Sequence, residues 1–498
     1  MDTYVSLPEW PLGRVRAIAQ ERGVQVWPVG GAVRDALLGR TTHDWDFAVE
    51  HEAMELARAV GDALGGAFYP LDEERDTGRV VLDQGDDQQF ELDFAGLRGP
   101  DLEADLLGRD FTINAMAVEE DGRLIDPVGG AADLQARLIR VVDEVALDDD
   151  PLRMLRAVRL AAQLSMQLEA KTAAWIIQRT SSLSLASSER VRDELVRLMA
   201  APAVADHLHI LDELGLMVQI LPEVDPLKEQ AQSPPHRFDV WWHTLLVVEA
   251  VEGVLKALSG SQPRLAYVDA PQRVWGDLRE ALAQLEPKVT SHMESRLKGG
   301  RTHRVLLFLA ALCHDLGKPL TCTEDEQGRL HFYSHGPVGA RIAAEWMERL
   351  RFSRAEIAEV RTMVRDHLRP AHLAQAQGRT TRRAVYRFFR ATEGAGVGVV
   401  LLSLADHVSS WGPNLEAERW ARRLEVAQTL LAHYFEHQNE TISPDPLVDG
   451  HDLMAELGLE EGPRVGWLLR AIQEAQAAGE VSTREEALAL GRRLADGE

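Results

Sequence analysis

The N-terminal part of the chain combines short apolar runs with glycines at their ends. The run from Val24 to Val29 predicts a strand that ends at Gly30 and Gly31. The next residues predict a helix from Ala32 to Leu38, which ends at Gly39. Two glycines at such a junction allow backbone N–H groups to approach a phosphate at the helix N-terminus. A plain tight turn has the same pattern, so the junction alone does not establish a phosphate site.

The following strand carries two acidic residues at alternating positions. Asp44 and Asp46 point to one face of the strand, whereas Trp45 and Phe47 point to the other. Both carboxylates can therefore share one metal site, and carboxylates together with substrate phosphates are common ligands of Mg²⁺. The alternative is that both acids are solvated loop residues, because an Asp-x-Asp pattern is common.

A helix and three more strands are predicted next, and the last strand holds a second acidic pair. Asp93 lies inside this strand, and Glu91 projects to the same face. An unpaired buried carboxylate is costly, so we predict Asp93 as a third carboxylate of the metal site, with Glu91 as the alternative. The polar stretch Leu71 to Gly78 indicates a mobile loop or a solvated hairpin. The predicted elements are a helix at Ala53 to Leu64 and strands at Ala67 to Pro70, Val80 to Leu82 and Phe90 to Phe94.

Two further helix starts carry charged residues. After Arg109, either Asp110 or Thr112 can cap a predicted helix whose apolar face includes Phe111 and Ile113. A generic capped helix would satisfy this pattern without any function.

The second start is Asp150 followed by a proline, which is typical of an N-cap and a first helical position. Arg153, Arg156 and Arg159 recur every three residues and lie in one sector of this helix. They form a local basic stripe, although we expect Arg159 to pair with nearby acids.

The composition describes a large and strongly acidic protein. The 498 residues have a formal charge of −25, with 45% hydrophobic and 27% charged residues. The length favours three or more domains, since one core rarely serves so long a chain. The acidic excess argues against general nucleic-acid affinity, unless basic residues are concentrated in one cleft. Cys313 and Cys322 provide neither a disulfide framework nor a thiolate zinc site. We recognise no apolar run long enough to cross a membrane and expect a cytoplasmic location.

The ordered motifs V-G-G-A-V-R-D, D-W-D-F and R-D-F-T-I-N-A resemble those of the class II tRNA nucleotidyltransferase and poly(A) polymerase family, which includes the CCA-adding enzymes. The resemblance implies that Gly30 and Gly31 hold a nucleoside triphosphate. It also implies that Asp44 and Asp46 bind catalytic Mg²⁺, with Asp93 beside them. Further nucleotide-binding residues implied by the motifs are Arg34, Arg109, Asp110, Asn114 and Arg156.

The family pattern E-D-x-x-R corresponds here to Asp149, Asp150 and Arg153, with Asp in place of the usual Glu. The resemblance implies that these side chains contact the Watson–Crick edge of the incoming base. Carboxylate and guanidinium groups can distinguish C and A from G and U, because each base edge arranges donors and acceptors differently. The family also usually has two arginines before Asp110, and Gly108 replaces the first.

A second group of potential ligands lies in the C-terminal half. A single histidine on an apolar helix is usually a core residue, but an adjacent His-Asp pair after an apolar helix is less easily explained. The set resembles the HD phosphohydrolase superfamily and implies a site for a divalent transition metal such as Ni²⁺ or Mn²⁺. Its predicted ligands are His243, His314, Asp315, His335, His367 and Asp406. We interpret His236, His303 and His407 as lying outside this set, and Lys318 as a phosphate contact or a partner of the helix dipole.

The predicted fold is α+β, with an N-terminal nucleotidyltransferase-fold mixed sheet followed by all-α neck, HD and C-terminal regions. The predicted domains are 1–140 (catalytic), 141–225 (neck), 226–412 (HD) and 413–498 (C-terminal helices). The neck contains a helix at Ser187 to Met199, and the C-terminal region contains amphipathic segments at Pro446 to Leu457 and Gly462 to Ala478.

The resemblance implies addition of C, C and A to the tRNA 3′ end from CTP and ATP, with a phosphohydrolase activity in the HD domain. Three alternatives stay open: a poly(A) polymerase, an enzyme that adds only CC or only A, and an HD phosphohydrolase whose N-terminal half only binds RNA or nucleotide.

Overall fold

The computed structural model describes residues 3–83, 89–263, 265–298, 300–376 and 378–496. The chain forms two compact units. The first consists of Met1–Leu198 and Ile210–Gln219, and the second of Met199–His209 and Ile220–Glu498. The finer division into four domains stays a prediction.

The first unit is built on a seven-stranded mixed sheet, which agrees with the predicted α+β class. The strands of this sheet are β1 (Val26–Val29), β2 (Asp44–Val49), β3 (Ala67–Asp72), β4 (Thr77–Asp83), β5 (Gln89–Gly96), β6 (Ala117–Val118) and β7 (Leu124–Ile125). Their order is β3-β4-β5-β2-β1-β6-β7. β2 and β5 are parallel, and the other neighbouring pairs are antiparallel. A small parallel pair, β8 (Leu138–Ile139) and β9 (Gln167–Leu168), lies outside this sheet.

The helices of the first unit pack on both faces of the sheet and leave accessible the part of one face that carries Asp44 and Asp46. They are α1 (Glu9–Arg22), α2 (Gly31–Leu37), α3 (Ala53–Leu64), α4 (Leu102–Leu107), α5 (Gly130–Ala136), α6 (Val145–Asp149), α7 (Arg153–Leu164) and α8 (Ala170–Arg179). Trp45 and Phe47 are buried with Leu12 of α1 and Leu56 of α3 in one core. The alternation along β2 therefore buries its aromatic residues and turns its acidic residues to the opposite face, as predicted.

The predicted helix after Arg109 is wrong. Only a short 3₁₀ turn forms, at Thr112–Asn114, and β6 follows it. Phe111 and Ile113 are fully buried, so this segment is anchored from several sides rather than along one helical face. Tertiary packing therefore overrides the local helical pattern.

The polar stretch after β3 is a tight hairpin rather than an extended loop. β3 ends at Asp72 and β4 begins at Thr77. The carboxylate of Asp76 accepts hydrogen bonds from the backbone N–H groups of Ala53 and Met54, at distances of 2.6 and 2.9 Å. Asp76 thus stabilises the first turn of α3, and the stretch has a structural role that its polarity did not reveal.

Three helices cross the boundaries between the units along the chain, and the second unit is almost entirely helical. The crossing helices are α9 (Ser188–Ala200), α10 (Val204–Glu213) and α11 (Met217–Ile220). The second unit contains α12 (Val240–Leu258), α13 (Arg273–Leu282), α14 (Glu286–Glu294), α15 (His303–Cys313), α16 (Lys318–Thr321), the hairpin of β10 (Cys322–Glu324) and β11 (Leu330–Phe332), α17 (His335–Arg349), α18 (Arg354–Asp366), α19 (Arg369–Gln375), α20 (Arg382–Thr392), α21 (Gly396–Trp411), α22 (Ala417–Glu436), α23 (Gly450–Leu457), α24 (Pro463–Ala478) and α25 (Arg484–Asp496).

The segment between the first predicted histidine ligand and the His-Asp pair has no element prediction, and it folds against α12. The carboxylate of Glu249 accepts hydrogen bonds from the backbone N–H groups of Ala266, Tyr267 and Val268. This contact holds the connection between α12 and α13 in place. The segment is therefore packed against the helices of the second unit.

Two buried helical stretches complete the second unit. The segment Arg382–Asn414 is long and apolar enough to cross a membrane by length and composition, but 78% of its most apolar window is buried in the protein. The C-terminal core contains Val465, Leu468 and Ile472 of α24, as the predicted apolar stripe requires. The last helix, α25, lies within the region predicted to be helical, although no bounds were predicted for it.

Candidate functional sites

Four carboxylates lie on the accessible face of the sheet in the first unit. In the parallel pairing of β2 with β5, Asp44 is opposite Glu91 and Asp46 is opposite Asp93. Side chains opposite each other on one face of a sheet are close neighbours. The sheet register therefore gathers the predicted acidic residues into one cluster.

Arg79 of β4 neutralises two of these carboxylates. It lies opposite Asp93 in the β4–β5 register. Its Nε and Nη2 each donate to Asp93 at 2.7 Å, and its Nη1 lies 2.6 Å from Oε2 of Glu91. Arg79 already supplies the cationic partner that the partial burial of Asp93 requires, so burial alone does not call for a metal there. The role of Asp93 as a metal ligand stays a prediction.

Asp44 and Asp46 form no ion pair within the described residues, and both line a cavity. Burial among protein atoms raises the pKa of Asp46 above its ordinary value. The charge of Arg109 lowers this pKa and that of Asp93 raises it. Two carboxylates that have no ion pair within the described residues, one of them with a raised pKa, are a donor set that a hard divalent ion would stabilise.

The two glycines form the floor beside Asp46. Gly30 has φ +67°, and a Cβ atom there would lie 3.0 Å from Oδ2 of Asp46 and 3.3 Å from Nη1 of Arg109. The Gly30 N–H donates to the carbonyl of Met116, and the Gly31 N–H bonds to Asp46. Both N–H groups are thus engaged within the protein. The glycines therefore provide space beside the carboxylate rather than free backbone donors.

A chain of hydrogen bonds connects α2 to the basic helix α7. Nη1 of Arg34 donates to Oδ1 of Asn114 at 2.8 Å, and Nδ2 of Asn114 donates to Asp110 at 3.2 Å. Nη1 of Arg156 donates to the other oxygen of Asp110 at 3.0 Å. Burial would raise the pKa of Asp110, but Arg156 and Asn114 hold it below its ordinary value. The R-D-F-T-I-N segment is thus the buried connection between two cavity walls.

These side chains surround a cavity of about 570 Å³. Its lining contains eight arginines and six carboxylates, so it is locally basic within an acidic chain. It brings together every predicted residue of the transferase site except Asp149 and Asp150: Gly30, Gly31, Arg34, Asp44, Asp46, Asp93, Arg109, Asp110, Asn114, Arg153 and Arg156.

The two remaining acids lie outside the lining. Asp149 is exposed at the end of α6. Asp150 accepts a hydrogen bond from Arg190 at 2.6 Å and another from the N–H of Leu152, and so it caps the turn before α7. Their predicted contact with the base stays a prediction. Arg159 pairs with Glu194, as expected.

Sequence reasoning missed three arginines of this lining, Arg79, Arg98 and Arg197. The available signal for Arg79 was its alternation with Val80 along β4, because that pattern turns it away from the core. Identifying its partner required the strand register, which the local pattern does not contain.

The predicted HD residues converge in the second unit from five helices or their ends. His243 lies on α12, and His314 and Asp315 directly follow α15. His335 begins α17 and His367 ends α18. The sixth, Asp406, lies on α21, and its carboxylate is 3.2 Å from Nε2 of His243.

These side chains form two groups that share Asp315. Ligand atoms of His243, His314 and Asp315 lie within 4.8 Å of one another, and so do those of Asp315, His335 and His367. Nε2 of His314 is buried and lies 3.0 Å from Oδ2 of Asp315. Burial, followed by the neighbouring histidines, lowers the pKa of His367 to about 3, so its imidazole is neutral at pH 7. Imidazole nitrogens around a shared buried carboxylate are a donor set that fits a divalent transition metal.

Lys318 and His236, which are outside the predicted ligand set, help to line the cavity of about 350 Å³ that contains Asp315, His335, His367 and Asp406. Nζ of Lys318 is 2.6 Å from Oδ2 of Asp315, so this lysine pairs with the shared carboxylate. The ring of His236 lies 4.6 Å from that of His243. His236 therefore lies beside the cluster, and its interpretation as a residue outside the ligand set stays a prediction.

Three family models match the chain. Residues 26–140 match the "Poly A polymerase head domain". Residues 165–228 match the "Probable RNA and SrmB- binding site of polymerase A", and residues 277–411 match the "HD domain". The last match includes His314, Asp315, His335, His367 and Asp406, whereas His243 precedes it.

Curated relatives match over nearly the full length. An A-adding tRNA nucleotidyltransferase of Deinococcus radiodurans is 36% identical over 94% of this chain and 95% of its own. A CC-adding tRNA nucleotidyltransferase of Thermus thermophilus is 35% identical over 93% of this chain and 92% of its own. The solved structure of a Bacillus stearothermophilus CCA-adding enzyme in complex with CTP has the same fold. Its TM-score is 0.61 at 23% identity, over 99% of this chain and 98% of that one.

Proposed function

The chain belongs to the tRNA nucleotidyltransferase family, and from this premise we propose that it adds C, C and A to the 3′ end of tRNA, with CTP and ATP as substrates. The observation that carries the proposal is the pair Asp44 and Asp46, which lines an arginine-rich cavity and has no ion pair among the residues that the structure describes. Carboxylates beside a strongly basic wall suit a metal-bound triphosphate.

The family membership and the HD domain both imply divalent metal ions. We propose Mg²⁺ for the first site, held by Asp44 and Asp46. Asp93 lies beside them on the same face and is ion-paired with Arg79. When bound, such ions make a 3′-hydroxyl more nucleophilic and neutralise the charge that develops on pyrophosphate.

The remaining roles belong to the cavity walls. Arg34 and Arg109 lie beside the two glycines. The carboxylate of Asp35 orients Arg34, and that of Asp105 orients Arg109. Guanidinium groups that are already fixed lose little entropy when they bind a phosphate. Arg153 and Arg156 of α7 would face the base, with Asp149 and Asp150 as further base contacts, so that protein side chains act as the template.

The test is an addition assay with tRNA that lacks its 3′ CCA, supplied with CTP alone, ATP alone or both. The expected product with both nucleotides is three residues longer and ends in A. Asp44→Ala and Asp46→Ala should abolish addition, whereas Asp62→Ala, at an exposed acid on α3, should not. If addition persisted in both active-site variants, the N-terminal half would only bind RNA or nucleotide.

A second candidate is addition of CC only or of A only. It is favoured because the full-length relatives are named as an A-adding and a CC-adding enzyme. In the same assay, a CC-adding enzyme extends the tRNA with CTP and ignores ATP. An A-adding enzyme extends only tRNA that already ends in CC, and a poly(A) polymerase makes long A tails.

We further propose that the histidine and aspartate cluster of the second unit is a phosphohydrolase site for Ni²⁺ or Mn²⁺. The proposed ligands are His243, His314, Asp315 and Asp406 for one ion, with His335 and His367 for a second. Lys318, beside the shared Asp315, is available to a phosphate. A cytoplasmic location is proposed together with these activities.

Phosphate release from 2′- and 2′,3′-cyclic phosphate substrates tests this second site. His314→Ala should abolish the release and lower the content of tightly bound metal, whereas His372→Ala, at an exposed histidine on α19, should change neither. Nucleotide addition should continue in both variants. Unchanged phosphate release in His314→Ala would show that the ligand set is wrong.

A further inference from the structure

A cavity of about 380 Å³ lies between α19, α21 and α22 of the second unit, and no role has been assigned to it. Glu418, Arg419, Arg422 and Arg423 line it from α22, and His407 and Trp411 line it from α21. None of the proposed HD ligands belongs to its lining. His407 directly follows Asp406, so neighbouring residues of α21 face two separate cavities.

Two of the three arginines have partners within the protein. Nε of Arg419 lies 2.7 Å from Oε2 of Glu416, and its guanidinium lies 4.5 Å from the centre of the Trp411 ring. Arg422 bonds to Glu425 and to backbone carbonyls. These contacts hold both side chains in place, and each guanidinium has a carboxylate partner within the protein.

Arg423 and His407 lack such partners. Within the described part of the chain, the half-buried guanidinium of Arg423 forms no hydrogen bond and no ion pair, although its charge acts on Asp406. His407 is 7% exposed, and its buried Nε2 makes no hydrogen bond. Buried polar groups are nearly always hydrogen-bonded, so the buried Nε2 of His407, beside the half-buried guanidinium of Arg423, indicates a missing ligand.

The chemistry of the two groups selects among ligands. A guanidinium fork binds two oxygens of one anion, and an imidazole N–H can bind a third. A carboxylate has only two oxygens, whereas a phosphate monoester offers three. The volume also exceeds that of a bare phosphate, and Trp411 provides an apolar wall for an organic group. We propose that this cavity binds a small phosphate monoester of mononucleotide size, with Arg423 and His407 as its phosphate contacts.

Crystals of the full chain soaked with tungstate, a phosphate mimic, would locate the site directly. The expected result is an anomalous peak within hydrogen-bond distance of both Arg423 and His407. The peak should disappear in Arg423→Gln and persist in Arg390→Gln, at an exposed arginine on α20. Tungstate in the transferase cavity confirms that the soak worked. No peak beside Arg423 in such crystals would overturn the proposal.

Binding in solution distinguishes a small monoester from a phosphate of the tRNA backbone. Arg423→Gln should lose one class of AMP sites in calorimetry, and Arg423→Lys, which keeps the charge but not the fork, should bind at least tenfold more weakly there. Affinity for tRNA and nucleotide addition should be unchanged, which also shows that the variants fold. Weaker tRNA binding with unchanged AMP binding would overturn the small-ligand assignment. Unchanged binding of both tRNA and AMP would overturn it as well.

Discussion

The carboxylate of Asp110 lies 3.0 Å from Nη1 of Arg156, across a sequence separation of 46 residues. This contact joins the R-D-F-T-I-N segment to α7, the helix that is proposed to face the base. Asn114 extends it to Arg34 on α2. The two walls of the transferase cavity are therefore connected by buried, charge-assisted hydrogen bonds, which are stronger than neutral ones.

The first prediction is that Asp110 and Arg156 act as one unit in catalysis. Asp110→Asn and Arg156→Gln should each lower kcat/KM for nucleotide addition about tenfold, equivalent to ~1.4 kcal/mol. The double variant should be no worse than the poorer single variant, since residues that act together are not additive. Steady-state kinetics of the three variants measures this. Losses that multiply would show that the two side chains contribute independently.

The second prediction concerns acid stability. The pKa of Asp110 is lower in the folded protein than in the unfolded chain, where an Asp has a pKa of about 3.9. Its ionised form therefore stabilises the fold above about pH 4, and this contribution is lost as the pH falls through the folded pKa. The gap in thermal midpoint between the wild type and Asp110→Asn should be constant near neutral pH and should narrow as the pH falls below about 4. Asp62→Asn should show no such trend, and a constant gap for Asp110→Asn would contradict the pairing.

The third prediction separates backbone strain from a blocked site. Gly30 and Gly39 have φ of +67° and +66°, so alanine is strained at both. Only at Gly30 does a Cβ meet atoms within 4 Å, among them Oδ2 of Asp46. Gly30→Ala and Gly39→Ala should lose similar stability, about 1–2 kcal/mol. Only Gly30→Ala should lose nucleotide addition, by tenfold or more. Equal losses of activity would mean that the space beside Asp46 is unimportant.

The fourth prediction concerns the different partners of the acidic residues. Asp46→Asn should reduce addition at least about 1000-fold, and Asp93→Asn only about tenfold, because Arg79 already holds Asp93. Arg79→Gln releases Asp93 and Glu91 and should lower the Mg²⁺ concentration needed for half-maximal rate. Initial rates measured over a Mg²⁺ series test both points. Equal losses in Asp46→Asn and Asp93→Asn would instead make Asp93 a direct ligand.

The sequence determined those parts of the site that depend on local periodicity. The alternation in β2 was enough to predict that Asp44 and Asp46 share a face opposite Trp45, because strand side chains alternate strictly. The helix Ala53–Leu64 was predicted with the bounds that the structure has, since its apolar spacing and Gly65 mark it clearly. The cluster around Asp315 was predicted by the resemblance to the HD superfamily rather than by local periodicity.

Only the tertiary structure decided which distant groups meet. The register of β4 against β5 pairs Arg79 with Asp93, and no local pattern encodes that register. The same limit explains the wrong helix after Arg109, where burial of Phe111 on several sides outweighs helical spacing. It also explains why Asp150 bonds to Arg190 instead of reaching the cavity, and why His236 lies beside His243. Local sequence fixes which face a side chain takes, but packing between remote segments chooses its partner.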